Sequence, residues 1–400
     1  MFATRATRMS VSPTMKVAAE AMRLKAQGVD VVDMGAGEPD FPTPPHISAA
    51  AKAAIDANFT KYTTNSGTEE LKRAIVARYR EDYGIETTTS ETIVTAGGKQ
   101  ALFNAVMVLF GPGDEVITHM PGWPTLVEQI KLADATPVIV RAHAEDGFAL
   151  RAETILSAIT PRTRGIIINS PGNPTGALIS ESDLEAVAEE AARRRIWILL
   201  DLCYEKLIYD PEPHNLPGVL TRTNRERSVL CGSASKAYAM TGWRCGWAIA
   251  PATVISACNA LQSHSTSNVC SITQKAVTTA LTGPQDCITV MLNEYRRRRD
   301  QVVDWLAGEP RLRIVKPAGA FYLFPDVSDF LSPDGIRTSA ELSQALLDDV
   351  RVAITPGEAF DAPGFIRLSY ATSIGELERG VGRIIDYVRS LEHRTTPATM

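Results

Sequence analysis

The sequence contains no paired-cysteine motif, no long apolar run and no marked excess of one charge. Its six cysteines, Cys203, Cys231, Cys245, Cys258, Cys270 and Cys287, form no CxxC pair. An even count alone does not make a disulfide framework in a chain of 400 residues. Reduced thiols in a cytoplasm are therefore expected. The net charge is −5, from 46 acids against 41 bases. That leaves no electrostatic footprint for a nucleic-acid phosphate backbone and argues against nucleic acid as the main partner. Between Arg244 and Lys275 there is no formal charge, but the stretch holds Pro251, Gln262, His264, Asn268 and many Ser and Thr. A membrane span needs about 20 predominantly apolar residues, so none is expected here. The stretch reads instead as buried protein near a functional loop. Aromatic residues are scarce at 6%, and no repeat or low-complexity tract occurs. The N-terminus carries Arg5, Arg8 and Lys16 before its first acid, Glu20. This is faintly like a transit peptide, but no apolar signal core follows, and a short basic arm is expected.

What is present is an ordinary globular composition, 44% apolar and 22% charged. At about 150 residues per domain the length predicts two or three domains. Ser12-Pro13 reads as a helix start and Gly28 as its stop. A short strand over Asp30–Met34 leads into Gly35-Ala36-Gly37-Glu38-Pro39. Thr43 reads as the start of an Ala-rich helix reaching about Asn58, and Thr68 and Gly84 as the caps of another. From residue 90 strands and helices alternate. Strands are predicted at Glu91–Thr95, Glu115–His119, Pro137–Val140, Arg164–Asn169, Ile196–Asp201, Val229–Cys231 and Trp247–Ala250. Helices are predicted at Gln100–Phe110, Thr125–Ala133 and Glu181–Arg194. The runs Gly165-Ile166-Ile167-Ile168 and Ile196-Trp197-Ile198-Leu199-Leu200 read as buried on both faces. Such runs are characteristic of a mostly parallel sheet between helices. Near residue 285 the texture changes to a charged helix through Glu294–Asp300. Strands at Phe321–Phe324, Val352–Thr355 and Phe365–Ser369 follow, with helices at Ser339–Asp349 and Gly375–Leu391. This reads as a smaller α+β domain.

Ligands of open α/β sheets bind at the carboxyl ends of the strands, and the unusual residues sit there. Gly97-Gly98-Lys99-Gln100 opens a helix, where small residues let backbone N–H groups approach an anion. Taken alone it is equally a tight strand–helix turn. Asn169-Ser170-Pro171-Gly172-Asn173-Pro174-Thr175-Gly176 would pass for a plain turn. Asp201 ends a very apolar strand, where a carboxylate is costly to bury without a positive partner. Ser233-Ala234-Ser235-Lys236 and Met240-Thr241-Gly242-Trp243-Arg244 bring two hydroxyls, an amine and a guanidinium together, as a phosphate beside a reactive amine would need. Small apolar neighbours would lower the Lys236 pKa.

Together these motifs resemble class I aminotransferases, the pyridoxal-phosphate enzymes of the aspartate aminotransferase fold (fold type I). The aspartate/prephenate subgroup from bacteria is the nearest in pattern. The resemblance runs from Ser12-Pro13-Thr14 and Gly37-Glu38-Pro39-Asp40-Phe41 to Ile366-Arg367-Leu368-Ser369-Tyr370. The spacing is demanding: Tyr204 lies three after Asp201, Ser233 and Ser235 precede Lys236 by three and one, and Arg244 follows it by eight. The resemblance implies an α/β large domain with a mostly parallel seven-stranded sheet over residues 45–290. It also implies a smaller α+β domain over 291–400, with residues 1–44 as an arm and part of the small domain. It implies pyridoxal 5′-phosphate held by Lys236 as a Schiff base, with Lys236 also the general base. Asp201 would pair with the pyridine nitrogen, and Tyr204 and Asn173 with the phenolic oxygen O3′. Ser233, Ser235, Arg244 and the backbone of Gly98 and Lys99 would hold the phosphate, and Trp123 would stack on the ring. Tyr62 would reach the phosphate from the second subunit of a homodimer. Arg367 and Gly37 would bind the substrate α-carboxylate, with Asn169 as a weaker contact.

Two positions depart from the family pattern. Leu202 stands where an acid commonly follows the aspartate, and Gly122 where a bulky residue often precedes the tryptophan. Both bear on local packing and pocket size, not on the cofactor. Lys99 and Thr14 occupy positions associated in the subgroup with a distal carboxylate, which favours aspartate or glutamate as donor; the same pair is associated with prephenate. The expected activity is transfer of an amino group to a 2-oxo acid by ping-pong kinetics. A C–S β-lyase or a decarboxylase on the same fold would use the same cofactor residues. A non-catalytic sensor would ordinarily carry an added DNA-binding domain, and only about ten residues precede the match. No metal site and no membrane partner are expected.

Overall fold

The computed structural model describes residue 7, residues 13–209 and residues 214–394; of residues 13–18 and 392–394 only the helical backbone is described. The basic arm and the Ser12 cap thus lie outside the described residues, apart from residue 7. The strands are β1 (Val32–Asp33), β2 (Thr92–Thr95), β3 (Glu115–Met120), β4 (Thr136–Arg141), β5 (Thr163–Asn169) and β6 (Trp197–Asp201). They continue with β7 (Ser228–Ser233), β8 (Gly246–Ile249), β9 (Tyr322–Leu323), β10 (Val352–Ala353), β11 (Thr355–Pro356) and β12 (Ile366–Ser369). Seven of them form one sheet in the order β2-β8-β7-β6-β5-β3-β4. Only β8 runs against its neighbours.

The apolar runs account for this sheet. Ile166 pairs with Ile198 and Ile168 with Leu200 in parallel register. The alternation of side chains sends Ile166, Ile168, Ile198, Leu200 and Leu230 into one core. Ile167, Leu199, Val229 and Cys231 go into the core on the other face. Each fully buried Ile or Leu contributes about 1.5–3 kcal/mol. A polar face is unaffordable on such strands, so helices cover both sides.

A second group of strands lies beyond. Here β9, β12 and β11 form an antiparallel three-stranded sheet, and β1 pairs in parallel with β10. Residues from both ends of the chain therefore share a ladder and a core that includes Val32, Met34, Phe321, Val352 and Leu368.

Several local expectations hold. The Thr68 hydroxyl accepts from the Leu71 amide at 3.3 Å, and Gly84 closes the helix Glu69–Tyr83 in the left-handed region at φ 69°. Others need correction. The helix expected to start at Thr43 runs over Pro45–Asp56 behind Pro44. Thr43 instead donates to the Ala239 carbonyl at 2.7 Å and accepts from the Trp243 indole at 2.9 Å. The single strand expected at Val352–Thr355 is two short strands in different sheets, because Ile354 carries the chain from one to the other. The uncharged stretch after Arg244 is not uniformly buried. It forms β8 and two helices, Ala252–Ser263 and Ser271–Thr282, with an exposed turn between them. All six cysteines are unpaired. Among the described residues no helix is long and apolar enough to cross a membrane.

Candidate active site

The carboxyl ends of β2, β5, β6 and β7 open on one edge of the large sheet, under a cavity of about 570 Å³. Asp201, the last residue of β6, is 3% exposed. Its Oδ1 accepts from the Cys203 amide at 3.1 Å. Burial raises its carboxyl to about 7, because the described residues offer it no cation to offset desolvation. Cys203 lines the same cavity, and burial pushes its thiol up to about 12, so it stays neutral. Tyr204 is buried, its hydroxyl 2.8 Å from that of Tyr322, and burial holds it protonated.

Lys236 sits on the short helix Ala234–Ala237 directly after β7. Ser233 caps that helix: its Oγ accepts from the Ser235 amide at 3.1 Å and donates to the Ser235 Oγ at 2.9 Å. Burial lowers the Lys236 amine below the usual lysine value, and its Nζ donates to the Gly37 carbonyl at 2.5 Å. Arg244 adopts the left-handed conformation at φ 52° and donates through Nη1 to the Thr241 carbonyl at 2.9 Å. Gly97 faces it at φ 89°, and a Cβ there would lie 2.6 Å from Arg244 Nη2. Only glycine lets the guanidinium lie against the start of the helix Gly98–Leu109, whose free N–H groups attract an anion. The Lys99 Nζ stands 4.9 Å over the Trp123 ring, and burial, followed by Arg244, lowers its amine.

Arg367, on β12, is 3% exposed. It donates to Asn173 Oδ1 at 3.0 Å, to the Gly35 carbonyl at 2.8 Å and to Thr355 Oγ1 at 3.3 Å. Its Nε is buried and has no partner among the described residues. Asn169, the last residue of β5, accepts from the Asn173 amide at 3.0 Å. Its own amide donates to His119 Nε2 at 3.3 Å, and burial brings that imidazole to about 4, so it is a neutral acceptor.

The cavity thus gathers Gly37, Gly98, Lys99, Trp123, Asn169, Asn173, Asp201, Tyr204, Ser233, Ser235, Lys236, Arg244 and Arg367. Tyr62 is not among them; it is 91% exposed. The side chain of Thr14 lies outside the described residues. Sequence reasoning missed Tyr322, Glu38 and Thr241, which line the cavity, Glu38 accepting from the Thr241 hydroxyl at 2.7 Å. Glu38 and Thr241 stand in motifs already singled out, but nothing local marks Tyr322. It reaches the site only because β9 pairs with β12, where it lies opposite Ser369, two residues along the strand from Arg367.

Pyridoxal 5′-phosphate fits these residues. The buried carboxyl of Asp201 lacks the cation that a protonated pyridine nitrogen provides. The cradle of Gly97, Gly98, two serines and Arg244 suits a phosphate, and an amine stands between them. Comparison with known proteins agrees. The family Aminotransferase class I and II matches residues 29–384. An aspartate aminotransferase of Bacillus sp. (strain YM-2) is 39% identical over 97% of this chain and 99% of its own. An aspartate/prephenate aminotransferase of Cereibacter sphaeroides is 42% identical over 94% and 96%. The crystal structure of the Rhizobium meliloti aspartate aminotransferase superposes with a TM-score of 0.92 at 40% identity, over 97% of this chain and 99% of that one. The Thermus thermophilus aspartate aminotransferase solved with maleate gives 0.91 at 39%, with the same coverage. The chain belongs to the class I and II aminotransferases, pyridoxal-phosphate enzymes of fold type I that transfer amino groups.

Proposed function

We propose that the chain is a cytoplasmic, homodimeric aminotransferase that moves the amino group of aspartate or glutamate to a 2-oxo acid in two ping-pong half-reactions. The observation that carries this reading is the convergence of Lys236, Asp201 and Arg367 on one cavity. Asp201 pairs with the pyridine nitrogen and keeps it protonated, a partner its dry site favours. Tyr204 and Asn173 bond the phenolic oxygen O3′; Asn173 already accepts from Arg367 through Oδ1, so its amide nitrogen is the group left for O3′. Ser233, Ser235, Arg244 and the amides of Gly98 and Lys99 hold the phosphate at the helix N-terminus. Trp123 covers the ring. When bound, the cofactor supplies an electron sink for the substrate Cα. Lys236 would hold it through its amine and would take and return the substrate Cα proton; its lowered amine pKa leaves more of the base form at neutral pH. Arg367, held by three partners, presents its free edge to the α-carboxylate beside the Gly37 amide.

Lys99, with Thr14, supports an acidic side chain, since an ammonium in a partly desolvated pocket attracts a distal carboxylate. The names of the relatives point the same way, and the aspartate/prephenate relative supports prephenate as a second substrate. Tyr62, exposed on its own chain, belongs in this reading to the phosphate site of a second subunit. The division at residues 44/45 and 290/291 is part of the reading too. It is supported by the confinement of β2–β8 to the middle of the chain, although 290/291 falls within the helix Asp286–Leu306.

A half-reaction panel tests the substrate. Cofactor absorbance is followed with aspartate, glutamate, phenylalanine, alanine, cysteine sulfinate and a cationic amino acid. Lys236→Ala is expected to lose the absorbance of the lysine-linked cofactor and nearly all turnover. Lys99→Ala is expected to weaken aspartate by about 10–100-fold, the worth of one charge-assisted hydrogen bond, and phenylalanine or alanine little. Equal losses for every donor would remove the acidic-substrate reading, and full transamination by Lys236→Ala would remove the Schiff-base assignment.

A further inference from the structure

Tyr322 touches two groups that the proposed function uses for different ends. Its hydroxyl is 2.8 Å from that of Tyr204, and its ring lies 4.3 Å beneath the Arg367 guanidinium. It is 1% exposed, and the β9–β12 register sets it opposite Ser369, on the strand that carries Arg367 two residues earlier. A Cβ at Gly37 would stand 3.2 Å from its hydroxyl, so the loop carrying Gly35 and Gly37 closes over it.

We propose that Tyr322 is a positioning residue that donates its phenolic hydrogen to Tyr204 and holds the Arg367 guanidinium on its ring face, coupling the cofactor contact to the carboxylate contact. The inference rests on the roles given above to Tyr204 and Arg367. Two hydroxyls 2.8 Å apart share one hydrogen. Tyr204 is the acceptor that the described residues offer Tyr322. With Tyr322 as donor, the Tyr204 hydrogen is free to point into the cavity, where O3′ is expected. Accepting one hydrogen bond also polarises the Tyr204 hydroxyl into a better donor. The ring supplies the second function. Arg367 has acceptors on both terminal nitrogens, and the face of Tyr322 fixes the plane in which its remaining edge meets a carboxylate. The titratable and charged groups facing Tyr322 are Arg367, Tyr204 and Cys203.

The test uses the holoenzyme and two readouts that do not depend on turnover. One is the pH midpoint of the absorbance change of the bound cofactor. The other is the dissociation constant of maleate, a non-reacting dicarboxylate. A hydrogen bond from Tyr204 stabilises ionised O3′, so weakening it raises the midpoint. Tyr322→Phe keeps the ring and is expected to raise the midpoint by about half to one pH unit, the worth of one neutral hydrogen bond, with maleate bound as before. Tyr322→Leu is expected to raise it equally and to weaken maleate by roughly 3–30-fold through loss of the ring. Tyr204→Phe serves as the reference. A midpoint that moves in Tyr204→Phe but not in Tyr322→Phe overturns the coupling and leaves the role of Tyr204 standing. A midpoint unmoved in both overturns both. Maleate affinity unchanged in a folded Tyr322→Leu overturns the clamp.

Discussion

A carboxyl buried at a strand end, as Asp201 is, opposes folding in the cofactor-free protein once it ionises. Its pKa rises from an ordinary 3.8 to about 7. Between those values the folded chain binds more protons than the unfolded one, so stability falls as pH rises through that window. Asp201→Asn removes the titration and keeps the volume. In urea denaturation of the cofactor-free protein, the stability of the variant relative to wild type is expected to grow by roughly 2–3 kcal/mol from pH 5 to pH 7. Parallel curves for the two proteins would show that the carboxyl is not desolvated as its burial implies. Added pyridoxal phosphate should close the gap, because a pyridinium gives the carboxylate its partner. This residue was legible in the sequence, since an acid directly after Ile198-Leu199-Leu200 has few structural reasons to be there. Tyr322 was not, because Arg367, the guanidinium over its ring, is 45 residues distant in sequence and no local pattern signals the contact.

At the scale of elements, the sheet edge is a packing of backbones as much as of side chains. Gly246 opens β8 where that strand passes the phosphate-side turn. A Cβ there would lie 2.4 Å from the Gly98 nitrogen and 2.5 Å from the Gly97 carbonyl carbon. Neither neighbour is a flexible side chain, so Gly246→Ala must displace the Gly97–Gly98 turn. The variant is expected to lose about 1–3 kcal/mol of stability and to bind pyridoxal phosphate more weakly. Gly111→Ala is the control: among the described residues nothing lies within 4 Å of a Cβ built there. It should change stability by no more than about 0.5 kcal/mol. Thermal melts and cofactor titrations of the two variants decide the matter, and equal behaviour would dismiss the close approach. The central strands of the large sheet, β5 and β6, were readable to within a residue or two because burial on both faces writes a continuous apolar run. The small strands were less so. Two residues such as Val352–Ala353 carry no period, and only the partner strand decides which sheet they join. The helix starts at Pro45 behind Pro44 and not at Thr43, because the Thr43 hydroxyl has two tertiary partners that a sequence cannot show.

At the scale of the whole molecule the proposed second subunit becomes measurable through Tyr62. Tyr62, 91% exposed, is the most exposed large hydrophobic side chain among the described residues. Within its own chain Tyr62 lines no part of the cavity. If it serves the phosphate of a partner, each site of the dimer is built from Lys236 of one chain and Tyr62 of the other. Lys236→Ala homodimers lack the amine in both sites, and Tyr62→Ala homodimers lack the ring in both. Mixed by unfolding and refolding together, the two form hybrid dimers. In each hybrid one site carries both defects. The other joins the intact Lys236 of the Tyr62→Ala chain to the intact Tyr62 of the Lys236→Ala chain. Random pairing makes half of the dimers hybrids, so about a quarter of all sites should be native. Activity should therefore rise above the mean of the two parents toward about a quarter of wild type. A ring acting within its own chain predicts no such gain: every site would then hold one defect, and the mixture would show only the average of its parents. Sedimentation of the same mixture separates this outcome from failure to dimerise, since a monomer would give neither hybrid nor gain.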